Sequence, residues 1–170
     1  GDGIITEFGL FSDNVADISP IRALVRLKSL NCAGAQKAGA LSDLSPLQGI
    51  TELVRLNCSN SGVIDLSPLK GLSLTSFECK QTKVSDLSPL VGMPLTSLDC
   101  RQLPKGSKLS LSPLKGMPLT NLVCYRTEIS DVSSLQSCKG LVTLDLRIAG
   151  VQAEDVAALQ NALPNCKIEW

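Results

Sequence analysis

The sequence predicts an α/β repeat solenoid, a curved arc of short parallel strands with turns rather than long helices on its outer side. Two markers recur in step. The tripeptide SPL or SPI places Pro20, Pro46, Pro68, Pro89 and Pro113 at spacings of 26, 22, 21 and 24 residues. The strings LKSLNC, LVRLNC, LTSFEC, LTSLDC and LTNLVC end at Cys32, Cys58, Cys79, Cys100 and Cys124, at spacings of 26, 21, 21 and 24. Composition says what fills such an arc. Hydrophobic residues make up 44% of the 170 but aromatics only 3%, so leucine must form the core.

The first half of each unit, LxxLx[CL], is the strand pattern of a leucine-rich repeat, with Cys in the last apolar slot. Thr or Ser often takes the slot of the usual Asn. A degenerate copy begins at Ile5, with Phe8, Leu10, Val15, Ile18 and Ile21 in phase. Another begins at Leu141, with Leu144, Leu146 and Val151, and LPNCKI closes the series with Leu163, Cys166 and Ile168. The whole chain, 1–170, therefore reads as one leucine-rich-repeat domain of seven repeats of about 21–26 residues, plus an eighth strand. One unit alone cannot bury its apolar side chains. Stacking units at the ~4.8 Å strand spacing buries a continuous core and forms a concave parallel β-sheet.

The second half of each unit is DxSPLxG. It leaves room for a short 3₁₀ or helical turn on the convex side, not a full helix. Asp17, Asp43, Asp65, Asp86 and Asp131 precede this turn, where a carboxylate accepts backbone N–H bonds. Ser45, Ser67, Ser88 and Ser112 read as N-caps followed by Pro in the first helical position. Gly49, Gly71, Gly92 and Gly116 end the turn. The stretch AEDVAALQNAL differs, with Val156, Leu159 and Leu163 at helical spacing. Residues 153–163 read as an amphipathic helix, and 153–170 as a carboxyl-terminal cap helix and strand. No such cap is visible at the amino end. An exposed first strand, open to edge-strand self-association at the N-terminal repeat, or an upstream segment beyond this sequence is expected there.

Several function classes fall away. Lys+Arg 16 balances Asp+Glu 16, so no basic excess points to nucleic acid. Histidine is absent, which removes Ser-His-Asp, Cys-His and HExxH chemistry. No apolar run approaches the ~18 residues of a spanning helix, so membrane insertion is not expected. No GxGxxG, HRD or DFG string occurs. We expect no catalytic residue, no metal ligand and no cofactor. The seven Cys are odd in number and form no CxxC pair. Five share one inward slot, so a reduced, buried ladder is expected, mildly favouring a reducing compartment in a chain whose location stays unknown. Cys138, in QSCKG, is the candidate reactive thiol, weighed against a core filler.

Strand side chains alternate, so the residues flanking each inward slot face outward together. One expected row runs Gly9, Asn31, Asn57, Glu78, Asp99, Val123, Asp145, Lys167. The next runs Phe11, Ala33, Ser59, Lys80, Arg101, Tyr125, Arg147, Glu169. Acid–base pairs repeat on successive strands and then break at Val123 and Tyr125. The only Tyr should sit between Arg101 and Arg147, with Arg126 nearby. Tyr and Arg are enriched in interface hot spots, so Lys80, Asp99, Arg101, Val123, Tyr125, Arg126 and Arg147 form the candidate partner-binding surface. The other reading is Tyr stacked on neighbouring Arg stems with no ligand. Insertions around 35–40 and 103–108 should project from one rim, where Leu103, Lys105 and Lys108 would add contact surface.

The SDLSPLxG half resembles the short repeats of internalin-type bacterial leucine-rich-repeat proteins, in which a 3₁₀ turn lines the convex side. GMPLTSLDC and ALPNCKIEW are similar to repeat tracts of planctomycete-type proteins, several of which attach them to Ser/Thr kinase domains. The resemblance runs from Ile5 to Trp170. The chain departs from the internalin pattern in its Cys ladder, its shortened units and its two insertions. The expected function is non-catalytic protein or peptide binding on the concave face. The alternative is a structural or regulatory segment of a larger bacterial enzyme, such as a Ser/Thr kinase, acting in cis.

Overall fold

A computed structural model describes residues 3–35, 39–106 and 108–170. Its strands are short because each repeat commits only three residues to the sheet. They are β1 (Glu7–Gly9), β2 (Ser29–Asn31), β3 (Arg55–Asn57), β4 (Ser76–Glu78) and β5 (Ser97–Asp99), then β6 (Leu109–Ser110) and β7 (Asn121–Val123). β8 (Ile129–Asp131), β9 (Thr143–Asp145) and β10 (Lys167–Glu169) follow. Eight form one parallel sheet in the order β1-β2-β3-β4-β5-β7-β9-β10, and β6 pairs with β8 in a small second sheet. The sheet order follows the chain, as stacking of successive units requires.

Register is fixed by the middle residue of each strand. Phe8, Leu30, Leu56, Phe77, Leu98, Leu122, Leu144 and Ile168 form one row across the sheet. A one-residue slip would turn this row to solvent. The last strand corrects the sequence reading. Ile168 faces Leu144, so Glu169 lies beside Asp145, and Lys167 lies beside Thr143. The cause is Cys166. Its N–H donates to the Leu163 carbonyl at 3.0 Å, as Leu141 donates to Cys138 at 3.0 Å. Cys166 thus occupies the turn-exit slot rather than a strand slot.

The convex turns are 3₁₀, at Ser19–Ala23, Ser45–Leu47, Ser67–Leu69, Ser88–Leu90, Ser112–Leu114 and Ser133–Ser137. Here Asp accepts a backbone N–H as expected, and the role of Ser differs from expectation. No Ser side chain caps its turn. Instead the Asp two residues earlier accepts the Ser N–H, at 2.7 Å for Asp43 and 2.8 Å for Asp65 and Asp86. The Ser hydroxyl donates to the other carboxylate oxygen, at 2.9, 2.6 and 2.7 Å. The hydroxyl is a donor because a carboxylate can only accept. These bonds, the hydroxyl first, hold Asp65, Asp86 and Asp131 below the ordinary 3.8. Gly92 follows its turn at φ +81°, in the left-handed region open to glycine.

The core is leucine, as composition requires, with Cys32, Cys58, Cys79, Cys100 and Cys124 fully buried in one column. Val63, Val84 and Ile129 are buried, and Val151 is half-buried. All seven Cys are free thiols. Cys138 is also buried, and its Sγ donates to the Leu114 carbonyl at 3.4 Å. Burial pushes its thiol up, away from thiolate. It is therefore the core filler and not a reactive thiol. The helix α1 spans Ala153–Ala162 and buries Val156 and Leu159 against the last turn. Lys139 Nζ donates to the Ala162 carbonyl at 3.0 Å, closing its carboxyl end. At the opposite edge β1 is exposed along its length, with Ile4, Ile5, Phe8 and Phe11 at the surface.

Candidate functional site

Each inward Leu or Cys leaves its neighbours facing the concave side. The first outward row is Gly9, Asn31, Asn57, Glu78, Asp99, Val123, Asp145 and Glu169. An acceptor side chain in this row binds its own backbone two residues on. Asn57 accepts the Ser59 N–H at 3.0 Å, Asp99 the Arg101 N–H at 3.2 Å, and Asp145 the Arg147 N–H at 3.1 Å. These local bonds fix the row's side chains before any partner arrives.

The charge pairs are uneven. Arg101 clasps Asp99, with Nη2 2.6 Å and Nε 2.9 Å from Oδ2. Arg147 clasps Asp145 at 2.6 Å and also reaches Glu169 at 3.4 Å. The bond from Arg147 holds the Asp145 carboxyl below its ordinary value, and Asp145 in turn raises the Arg147 guanidinium. Lys167 pairs with Glu169 at 2.7 Å. Among the described residues Glu78 and Lys80 make no ion pair with each other. The lattice breaks at β7, as expected, because Val123 has no acceptor. The Tyr125 ring lies 5.2 Å from the Arg126 guanidinium and 5.5 Å from that of Arg147. Arg126, rather than Arg101, is thus the second cation on Tyr125.

The rim is where sequence reasoning missed most. Asn60, Gln81, Gln102, Arg126 and Ile148 all have φ between 54° and 57°. Each follows a residue of the second concave row, so the chain leaves the sheet through a left-handed residue after β3, β4, β5, β7 and β9. A buried hydroxyl closes several of these turns. Ser61 donates to the Cys58 carbonyl at 2.6 Å, and Thr82 to Cys79 at 2.7 Å. Thr127 reaches across to the Cys100 carbonyl at 2.7 Å. The recurring Thr or Ser was visible in the sequence, but the backbone hand before it was not. Glycine and, less strongly, Asn signal such a position, but Gln, Arg and Ile do not. Gln81 Nε2 donates to Gln102 Oε1 at 2.8 Å, linking neighbouring turns.

A groove of about 320 Å³ runs between these turns and the loop 103–106. Leu103 is only 5% exposed and belongs to the core, with its N–H bonded to Thr127 Oγ1 at 3.2 Å. The loop therefore presents Lys105 and Lys108, both exposed, and not Leu103. In the first insertion, 36–38 lie outside the described residues, while Gly39 bridges to Ser61.

Solved structures share this architecture. Internalin C2 (inlC2) of Listeria monocytogenes matches 96% of this chain and 70% of its own, with a TM-score of 0.80 and 24% identity. The chain is an internalin-like leucine-rich-repeat solenoid. An internalin (inlF) of the same organism matches over 95% of this chain and 59% of its own, at 27% identity and a TM-score of 0.55. A leucine-rich-repeat protein of Leptospira interrogans matches over 88% and 38%, at 19% identity and a TM-score of 0.73. No protein-family model and no curated protein matches the sequence. The internalin-like arc thus carries, on one face, a self-paired charge lattice interrupted at Val123 and Tyr125. Along its rim it carries a row of polar side chains on left-handed turns.

Proposed function

We propose that this internalin-like solenoid is a non-catalytic protein- or peptide-binding module that meets its partner on the concave face. The break in the charge lattice carries the reading. Asp99–Arg101 and Asp145–Arg147 satisfy one another, so a partner gains little by competing for them. Between them Val123 offers apolar surface, and Tyr125 offers a ring held by two guanidiniums. A rigid aromatic anchor flanked by Arg is the composition of an interface hot spot. Lys80, Arg101, Val123, Tyr125, Arg126 and Arg147 form the contact, with Lys105 and Lys108 at its rim; Asp99, expected there from the sequence, is buried and orients Arg101 instead.

The test is affinity capture from native lysate, with wild type beside a variant carrying Arg101→Glu, Tyr125→Ala and Arg147→Glu. Each retained protein is identified, and its Kd is measured against both forms. A partner that binds the folded variant about tenfold more weakly or worse supports the site. Equal affinity removes the concave face as the contact.

A second reading is favoured by the uncovered apolar side chains at β1. In it, the chain is a regulatory segment acting in cis within a larger bacterial enzyme such as a Ser/Thr kinase. Phe8→Ser and Phe11→Ser would then alter the parent protein's activity, and the concave substitutions would not.

A further inference from the structure

We infer that the rim groove, between the left-handed turns and the loop 103–106, binds an extended acidic peptide segment. This rests on reading the chain as a binding module and assigns it a second surface. Charge is the first reason. Lys83, Lys105 and Arg126 border the groove, and no carboxylate does. None of the three makes an ion pair among the described residues. The chain as a whole is neutral, and the concave Arg101 and Arg147 each carry an Asp, so this rim holds positive charge without local compensation. Such a patch attracts an acidic partner and suppresses a basic one.

The second reason is the amide pair. A side-chain amide has two N–H donors and one carbonyl acceptor with two lone pairs. The Gln81–Gln102 bond uses one donor of Gln81 and one lone pair of Gln102. It leaves an amide oxygen on Gln81 and an NH₂ on Gln102. Together they complement the N–H and C=O of a peptide group. Exchanging oxygen and nitrogen on both side chains leaves the same complement. The third reason is the floor. Exposed Pro104 supplies the apolar surface beside the cations, while Leu103 borders the groove from the core. A sulfated or phosphorylated glycan would use the cations but leave the apolar floor and the amide acceptor without a partner. An acidic peptide uses all three. The wall is also preorganised, because buried Thr82 and Thr127 pin the turns that carry Gln81 and Arg126.

The probe is a fluorescein-labelled peptide of about eight residues alternating Glu with Val, beside its Gln-for-Glu counterpart. Fluorescence anisotropy reads affinity, and far-UV circular dichroism with urea midpoints confirms folding. Wild type should bind the Glu peptide at least about tenfold more tightly than the Gln peptide, with affinity falling as salt rises from about 50 to 300 mM. The Lys105→Glu/Arg126→Glu variant should lose about tenfold or more, and Gln102→Leu several-fold. The convex control Lys70→Glu should bind as wild type does. Equal binding of the two peptides overturns the inference, as does wild-type affinity in the folded Lys105→Glu/Arg126→Glu variant. So does binding of a sulfated oligosaccharide without binding of the Glu peptide. Absence of Glu-peptide binding up to about 1 mM overturns it as well. If that happens while partner capture remains sensitive to Tyr125, only the groove is lost. Peptide binding that persists while capture ignores Tyr125 would remove the concave-face reading instead.

Discussion

The cysteine column ties stability to alkaline pH. Burial pushes the Cys32 thiol up to about 12 from an ordinary 9.0. Desolvation drives Cys58 and Cys79 well above 9.0, and Cys124 follows through its contact with the Cys100 thiol and then its own burial. The folded values lie above the unfolded ones, so the stabilisation is fully present below pH 9.0. It is lost as pH rises toward the folded values, because the unfolded chain ionises first. An unfolded thiol is largely ionised at pH 10, so the Cys32 thiol alone costs on the order of 1 kcal/mol there, and Cys58, Cys79 and Cys124 add to the loss in the same direction. A whole domain has only about 5–15 kcal/mol. The assay is urea unfolding followed by circular dichroism at about pH 7.5, 9 and 10, under reductant and inert gas. Cys32→Ala should lose about 1 kcal/mol less than wild type between neutral pH and pH 10. A total loss under about 1.5 kcal/mol across that range would refute the argument, since the thiols would then be ionising inside the folded protein.

The convex turns and the sheet give two further expectations. Asp86→Ala removes the acceptor of the Ser88 N–H and hydroxyl, at 2.8 and 2.7 Å. It should cost about 1 kcal/mol or less at this exposed position, read as a small fall in Tm by calorimetry. It should also weaken acid sensitivity, because Asp86 lies below 3.8 when folded and its contribution is present above that pH and lost as pH falls below it. Leu98→Ala empties a fully buried slot in mid-sheet. It should cost about 2–5 kcal/mol by urea unfolding. Hydrogen exchange should rise more in β4 and β7 than in β1, because each repeat touches only its neighbours. Uniform exchange across all strands would contradict that nearest-neighbour picture.

The repeat itself was legible up to its last strand. A Leu three residues before another, with Cys two residues later, has one way to be buried when its neighbours carry the same pattern. That placed the strands, the cysteine column and the convex turns. The acid–base rows, and their break at Val123 and Tyr125, follow from alternation alone. Tertiary structure decided what depends on residues one repeat away or on backbone hand. Cys166 entered a turn slot because its N–H found the Leu163 carbonyl, and this moved Glu169 beside Asp145. The Ser hydroxyl turned donor to the Asp that was expected to accept backbone N–H, because a carboxylate can accept both groups. Leu103 went inward where the loop around it is exposed. The rim groove exists because successive turns place Gln81, Gln102 and Arg126 at φ near 55°, a conformation that neither Gln nor Arg announces in a sequence.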